Sequence, residues 1–180
     1  MSGSDRPRRA FQELWFALAR REWRSVVLVP ADAGESAAAA ATSLAEVGRQ
    51  LHEFPVTLFV MANPLDYWPA LQIVTTAAST QGGGEEGSNA PITPANSLGY
   101  ASAVQMVASA ASTGRGSTRP AIGKVIIAIQ PVVAEPLGLA VTQAADTSIL
   151  CVEMGRTHLA SARRTIELVG RERIAGCLLV

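Results

Sequence analysis

Five short apolar runs, separated by stretches with helical spacing, constrain the fold of this chain more than any other feature. They lie at 26–29, 55–64, 124–131, 147–155 and 173–180. A continuous apolar run of this length is typical of a strand buried on both faces. Because helix-forming segments alternate with these runs, the pattern predicts an α/β fold. We expect three layers, α/β/α, around a mostly parallel central sheet.

The helical segments are recognised by their apolar spacing and by their alanine content. Phe11, Leu14, Trp15 and Leu18 recur at helical spacing and predict an amphipathic helix near the N-terminus. A long Ala-rich stretch is a strong helix former, and Thr157 is a suitable N-cap for a later helix. The predicted helices span 9–22, 36–51, about 98–111 and about 158–170.

Length and composition favour a single folded domain. The chain has 180 residues, of which 48% are hydrophobic and 17% charged, and this composition excludes a disordered chain. We expect one domain over 1–180, with Gly/Ser/Pro-rich loops at about 79–96 and 112–120. The 15 basic and 15 acidic residues cancel, which argues against an electrostatic nucleic-acid binder.

Membrane, metal and thiol signals are weak. No apolar run reaches the length of a transmembrane helix, and the N-terminus lacks the pattern of a signal peptide, so a cytoplasmic protein is expected. Cys151 and Cys177 lie in apolar runs without metal-ligand spacing, and we expect buried free thiols. His52 and His158 are expected to be solvated. No metal or cofactor is predicted.

The segment after the first strand, SVVLVPADAGESAAAAATSLA, resembles the phosphate-loop region of bacterial tyrosine kinases. These kinases belong to the MinD/ParA-like group of P-loop ATPases, and their pattern is roughly S-V-L-V-T-S-x-x-P-G-E-G-K-S-T-x-x-A-x-N-L-A. Gly34 and Glu35 match the family's Gly-Glu, and Ser36 falls on its second Gly. Ala37 falls on the catalytic Lys, and Ala38 on the Ser/Thr that holds Mg²⁺.

The resemblance extends over about 9–63 and 121–180, and again the chemical residues differ. KVIIAIQPVV is similar to the family's D-Y-V-I-I-D-T-P-P-V, with Ala128 on the Walker B Asp. TLFVMAN lies where the family has L-L-I-D-A-D, with Met61 and Asn63 on the two Asp positions. In the N-terminal helix, Trp15 is among the residues that replace the family's ring-assembly charges. The resemblance therefore implies a degenerate P-loop fold of the MinD/ParA type.

Phosphoryl transfer depends on positioning and on neutralising phosphate charge, and the groups that do this are replaced here. Lys124, the only lysine, precedes the third strand, whereas ligands of parallel sheets bind at the carboxyl ends. Asp32 and Glu35 would add negative charge beside a phosphate. The segment 34–36 also suits a plain helix N-terminus, in which Ser36 or Asp32 accepts free N–H groups. We expect a pseudoenzyme.

The resemblance implies a scaffold or regulator in bacterial exopolysaccharide or capsule synthesis and export. Its expected partner is the cytoplasmic part of a polysaccharide copolymerase-type membrane protein, or an active homologue, which would place the chain at the inner face of the membrane. The alternative is a switch of the same fold that binds nucleotide without hydrolysis. An enzyme of different chemistry is disfavoured, because no Ser/His/Asp set, Cys/His set or carboxylate pair can be placed at the strand ends.

Two groups of residues each allow two interpretations. Phe11, Trp15 and Leu18 are either core residues or an apolar stripe that binds a partner or a second copy of the chain. The arginines near the C-terminus form either a solvated face or a patch that meets nucleotide or lipid; they are Arg163, Arg164, Arg171 and Arg173.

Overall fold

The computed structural model describes residues 5–51, 55–79 and 123–180, and these residues contain one five-stranded sheet. The strands are β1 (Ser25–Pro30), β2 (Val56–Val60), β3 (Lys124–Ala128), β4 (Thr147–Val152) and β5 (Ile174–Leu179). Their order is β2-β3-β1-β4-β5, and every neighbouring pair is parallel. The five apolar runs are therefore the five strands, as predicted.

Helices cover both faces of the sheet. They are α1 (Asp5–Ala19), α2 (Ala38–Leu51), α3 (Tyr67–Ser79), α4 (Leu137–Ala144) and α5 (Leu159–Val169). Core residues of α1 and α2 pack on one face, and those of α3, α4 and α5 pack on the other. Short 3-10 turns lie at Pro64–Asp66 and Arg171–Arg173. The predicted three-layer α/β/α fold is confirmed.

Burial along β1 explains why its sequence is apolar throughout. Successive side chains of a strand point to opposite faces, and here both faces are covered. Val26 and Leu28 join the core under α1 and α2, and Val27 and Val29 join the core under the other three helices. No side chain of the strand reaches solvent, so polar residues would be costly at each position.

The N-terminal helix is part of the core. Phe11, Trp15 and Leu18 are 8%, 2% and 2% exposed, so of the two interpretations the core one is confirmed and the partner-binding stripe is wrong for these side chains. The Trp15 indole fits against Gly48 of α2, where a Cβ would overlap its six-membered ring. It also meets Trp23 edge to face, with ring centroids 5.5 Å apart. These side chains are buried because α2 packs against them.

Other predictions differ from the structure in detail or fall outside it. The first helix begins and ends earlier than the predicted 9–22, and α3 and α4 were not predicted. The N-cap of α5 is His158 rather than Thr157. His52, the helix at about 98–111 and the loops at about 79–96 and 112–120 lie outside the described residues, except that Ser79 ends α3.

The two cysteines have different surroundings. Cys151 is buried in β4, and burial raises the pKa of its thiol to about 12. Cys177 is exposed, which contradicts the prediction of two buried thiols. Cys177 lies in β5, an edge strand that pairs on one side with β4, so the sheet covers it less well.

No helix in the described part of the chain is long and apolar enough to span a membrane.

Candidate functional site

The carboxyl ends of the five strands lie along one edge of the sheet, because all the strands run the same way. We call this region the carboxyl edge: the strand ends, the connections that follow them, and the first turn of each helix that those connections enter. Ligands of parallel α/β sheets bind in this region. The β1–α2 loop, residues 31–37, occupies its middle, since β1 is the central strand.

A glutamate side chain accepts two backbone N–H groups at the start of the β1–α2 loop. Glu35 Oε2 accepts the N–H groups of Ala31 and Asp32, each at 3.2 Å. The Thr157 hydroxyl, from the connection between β4 and α5, donates to Glu35 Oε1. Glu35 is half-buried, and its own N–H donates to the Asp32 carbonyl at 3.2 Å. The Ala31 N–H also donates to the Cys151 carbonyl at 2.9 Å, so the carboxylate adds to a strand bond there and binds the next amide, that of Asp32. Glu35 thus places its negative charge on the first amides of the loop, where an incoming anion would meet it.

Asp32 makes a second connection to the same part of the chain. Its Oδ2 accepts the His158 N–H at 2.9 Å and lies 2.7 Å from His158 Nδ1. Because a carboxylate can only accept, Nδ1 carries the proton of that contact. The His158 backbone N–H is the main cause that lowers the pKa of Asp32 to about 2, and the ring contact adds to it.

A third contact comes from further along α5. The Thr165 side chain is fully buried, and its hydroxyl donates to the Ala31 carbonyl at 3.1 Å. We call the whole set the interloop clasp: Asp32, Glu35, Thr157, His158 and Thr165, with the backbone groups they bind. In addition to the backbone bond from the Ala31 N–H to the Cys151 carbonyl, the clasp joins the β1–α2 loop to the β4–α5 region through groups of the chain itself.

Ser36 and its neighbours form a helix start. Ser36 Oγ accepts the Ala38 N–H at 3.3 Å, as a capping side chain does. Ala37 is 1% exposed and packs in the core, and a Cβ added at Gly34 would meet nothing within 4 Å. Of the two predicted capping residues, Ser36 therefore serves α2, while Asp32 serves the start of α5.

The three positions that the resemblance aligns with the family's Asp residues have structural surroundings. Met61 and Ala128 are 4% and 2% exposed and pack in the two cores. Asn63 is exposed, and its N–H donates to Asp66 Oδ2 at 2.8 Å, as does the Ala62 N–H at 3.0 Å. The loop after β2 thus holds its own carboxylate on two successive amides, as the β1–α2 loop does.

Lys124 lies at the other edge of the sheet, as predicted. It begins β3, its ammonium group donates to the Trp23 carbonyl, and it lies 4.5 Å from the Trp23 ring centroid. Burial lowers its pKa. The only lysine of the chain is therefore held by structural contacts and does not face the β1–α2 loop.

Sequence reasoning missed His158 as a partner of Asp32. The two residues are 126 positions apart, and only the alignment of β1 beside β4 brings them together. The His158 side chain is 82% exposed, which agrees with the predicted solvation, yet one ring nitrogen is fixed by the carboxylate. In the sequence, two loop carboxylates without a nearby cation, together with the polar residues of α5, could have indicated such a contact.

Metal ligands do not cluster in the described residues. Within them, no group of three or more His, Cys, Asp or Glu side chains could hold an ion. Asp32 and Glu35 instead direct their oxygens to N–H and O–H groups.

Comparisons with known proteins do not assign a family. No protein-family model matches the chain, and no curated protein matches it. The likeness to bacterial tyrosine kinases therefore depends on the sequence segments given above.

Proposed function

We propose that the chain is a catalytically inactive, tyrosine-kinase-like protein with a degenerate P-loop-type fold. In this proposal it acts as a scaffold or regulator in bacterial exopolysaccharide or capsule synthesis and export. The biological setting comes from the sequence resemblance, and the loss of catalysis is supported by the chemistry of the carboxyl edge. The proposed partner is the cytoplasmic part of a polysaccharide copolymerase-type membrane protein or an active homologue.

The observation that carries the proposal is the position of the Glu35 carboxylate. A P-loop holds phosphate with backbone N–H groups, assisted by a Lys and a Mg²⁺ ion. In this chain the Asp32 N–H donates to Glu35, the Ala31 N–H is shared between Glu35 and the Cys151 carbonyl, and the Thr157 hydroxyl donates to the same carboxylate. A nucleotide phosphate that used these N–H groups would have to displace a covalently attached anion, and one bound further along the loop would meet its charge.

The charges around the loop act in the same direction. Asp32 and Glu35 both lie in the β1–α2 loop, and Ala37 replaces the family's Lys. A triphosphate placed there would meet like charge in a partly desolvated site, where Coulomb energies exceed those in water. The rival function, a nucleotide switch without hydrolysis, needs this loop to accept phosphate through its backbone alone.

Isothermal titration with ATP and ADP, with and without Mg²⁺, tests the proposal, supported by a thermal-shift series. We expect no heat of binding and no shift at millimolar nucleotide. A ligand at 100 times its Kd would raise the free energy of unfolding by about 2.7 kcal/mol, so true binding would be visible. Inorganic tripolyphosphate at the same concentration controls for general anion effects.

The other outcomes separate the rivals. Nucleotide binding that survives without Mg²⁺ would replace the inactive scaffold by a nucleotide-sensing switch. Mg²⁺-dependent binding with turnover would mean that the alignment of the β1–α2 loop with a phosphate loop is wrong.

A further inference from the structure

Exposed apolar side chains are concentrated at the carboxyl edge. Among the described residues, ten large apolar side chains are exposed, and eight of them lie at this edge. The two exceptions are Phe16 on α1 and Leu51 at the end of α2. Single exposed apolar residues are common on protein surfaces, but a concentration on one side indicates a contact surface.

The exposed residues lie toward both ends of the strand order. Beside β2, Leu65 and Trp68 are 71% and 67% exposed. Beside β4, Met154 and Leu159 are also 71% and 67% exposed. The β1–α2 loop lies between these two groups, since β1 is the middle strand. The edge is thus apolar toward both sides and polar in its middle.

The polar part of the edge is acidic. The connections at the carboxyl edge carry five carboxylates and one arginine; the carboxylates are Asp32, Glu35, Asp66, Glu135 and Glu153. The arginine, Arg156, is paired with Glu153 at 2.8 Å. The only lysine lies at the opposite edge, in contact with Trp23. A partner that covers this surface must therefore supply positive charge as well as apolar side chains.

We infer that the carboxyl edge is a docking surface for a basic protein segment that carries apolar side chains. The apolar residues of the segment would cover Leu65 and Trp68 on one side and Met154 and Leu159 on the other, and its Lys or Arg residues would face the central carboxylates. This deepens the proposed function and rests on it for one point, that this edge meets a protein and not a nucleotide.

Charge selects this occupant over two others. Nucleic acid and anionic membrane surfaces are negative and would be repelled by the carboxylates. Segments of membrane proteins that flank their spans on the cytoplasmic side are rich in Lys and Arg, so a partner of the proposed kind has the required charge.

The dimensions suit a short segment. Neighbouring strands are about 4.8 Å apart, so the four spacings of this sheet extend over roughly 19 Å. A helix rises 1.5 Å per residue and would need about 13 residues to cover that distance, and an extended segment about six.

Trp68 provides the readout for a binding test. The chain has three tryptophans, and Trp15 and Trp23 are 2% and 3% exposed, so a change of solvent exposure on binding affects mainly Trp68. The probe is a synthetic 14-residue peptide of leucines and lysines, with the leucines at helical spacing. Control peptides replace every Lys by Glu, or every Leu by Ser. Emission of the full chain is followed during titration, and Trp68→Phe identifies the responding residue.

The expected result is a blue shift with the Leu/Lys peptide, at an affinity at least tenfold above that of either control peptide. The affinity should fall as salt is raised, because exposed charges are screened. A Met154→Ser/Leu159→Ser variant, followed through Trp68, should bind at least fivefold more weakly. Leu51→Ser, an equally simple change at the opposite edge, should bind as the unmodified chain does. Circular dichroism checks that each variant is folded.

Four outcomes would overturn the inference: no binding of the Leu/Lys peptide, equal binding of the Leu/Lys and Leu/Glu peptides, an equal loss with Leu51→Ser, or binding to anionic vesicles in preference to the peptide. These failures can be distinguished from failure of the proposed function. Absence of nucleotide binding together with absence of peptide binding would leave the inactive fold in place and remove only this docking surface.

Discussion

Two carboxylates, those of Asp146 and Glu35, each accept two successive backbone N–H groups and one hydroxyl. Asp146 lies at the edge of the sheet where the strands begin, which we call the amino edge, and Glu35 lies at the carboxyl edge. Asp146 Oδ2 accepts the N–H groups of Arg24 and Ser25, each at 2.8 Å, and the Ser25 hydroxyl at 2.9 Å. Glu35 accepts the N–H groups of Ala31 and Asp32 and the Thr157 hydroxyl. Both carboxylates connect β1 with the region of β4.

The surroundings of the two carboxylates differ in charge. Lys124 is near Asp146, and although burial lowers its pKa, the Asp146 charge acts in the opposite direction. Glu35 has a second carboxylate, Asp32, in its own loop. The lysine therefore lies beside the carboxylate at the edge where parallel sheets do not bind ligands, whereas the loop at the ligand-binding edge carries two carboxylates and no lysine. The same hydrogen-bond pattern thus satisfies the first N–H groups of β1 at the amino edge and places a carboxylate where ligands of parallel sheets bind at the carboxyl edge.

The largest expected effect is the loss of stability when a side chain is removed from the core under α1 and α2. Trp15→Ala should lower the free energy of unfolding by about 3–5 kcal/mol, because a fully buried aromatic side chain leaves a cavity. Urea unfolding measures it. Phe16→Ala, the next residue of α1 and 58% exposed, is the matched control and should change stability by about 0.5 kcal/mol or less. Equal losses of stability in the two variants would contradict the burial of Trp15 and would favour the partner-binding stripe.

The comparison of the two carboxylates is tested directly by removing each one. Asp146→Ala should cost about 1–3 kcal/mol, because it leaves Ser25, which is 2% exposed, without its acceptor. Glu35→Ala should cost about 1 kcal/mol or less, because water can reach the half-buried loop. Urea midpoints of the two variants decide the order. A larger loss for Glu35→Ala would show that the carboxyl edge, and not the amino edge, depends more on its carboxylate.

Acid should weaken the interloop clasp in a defined pH range. The folded pKa of Asp32, about 2, lies below its ordinary value of 3.8, so ionised Asp32 stabilises the fold. This contribution is fully present above the ordinary value and is lost as pH falls through the folded value. We expect the difference in Tm between the unmodified chain and Asp32→Asn to be constant near neutral pH and to shrink as pH falls from about 4 to about 2. Glu46→Gln, on an exposed part of α2, is the charge control. A difference that persists unchanged to pH 2 would contradict the bonding of Asp32 to His158.

The smallest effect concerns the edge strand. A thiol reagent at pH 8 should modify Cys177 slowly and leave Cys151 intact, because burial raises the pKa of both thiols and Cys151 is far more buried. Unfolded chain should react at both cysteines. Modification of Cys151 in the folded state of a Cys177→Ser variant would mean that β5 does not cover β4 as described.

The fold could be predicted from the sequence to the extent that it depends on local patterns. Each strand is a continuous apolar run, and α2 is rich in alanine, so both types of element were recognised. The helix α3 begins with Tyr67 and has Pro69 in its first turn, and α4 has eight residues with Gly138 inside. Such segments have weak helical signals, and packing on the sheet makes them helical.

The candidate site could be predicted less well, because its contacts join distant residues. The replacement of a Lys, a hydroxyl and an Asp by Ala37, Ala38 and Ala128 stays a prediction, because it depends on the sequence resemblance. The bonds from Thr157, His158 and Thr165 to the β1–α2 loop follow from the pairing of β1 with β4, which no local pattern specifies. Trp15 shows the same limit, since helical spacing is identical for a core stripe and for a contact surface.

The central claim is that Glu35 accepts the first two N–H groups of the β1–α2 loop and adds negative charge there, and we propose that the loop therefore does not bind a nucleotide phosphate. Proton–nitrogen correlation spectra of the isotope-labelled chain, recorded while ATP, ADP or ATP with Mg²⁺ is added to millimolar concentration, test this at the atoms concerned. The account predicts that the amide signals of Ala31, Asp32 and Ala38 keep their positions throughout. Saturable movement of the Ala31 and Asp32 signals, with the fold otherwise unchanged, would show that phosphate displaces Glu35 and would contradict the account.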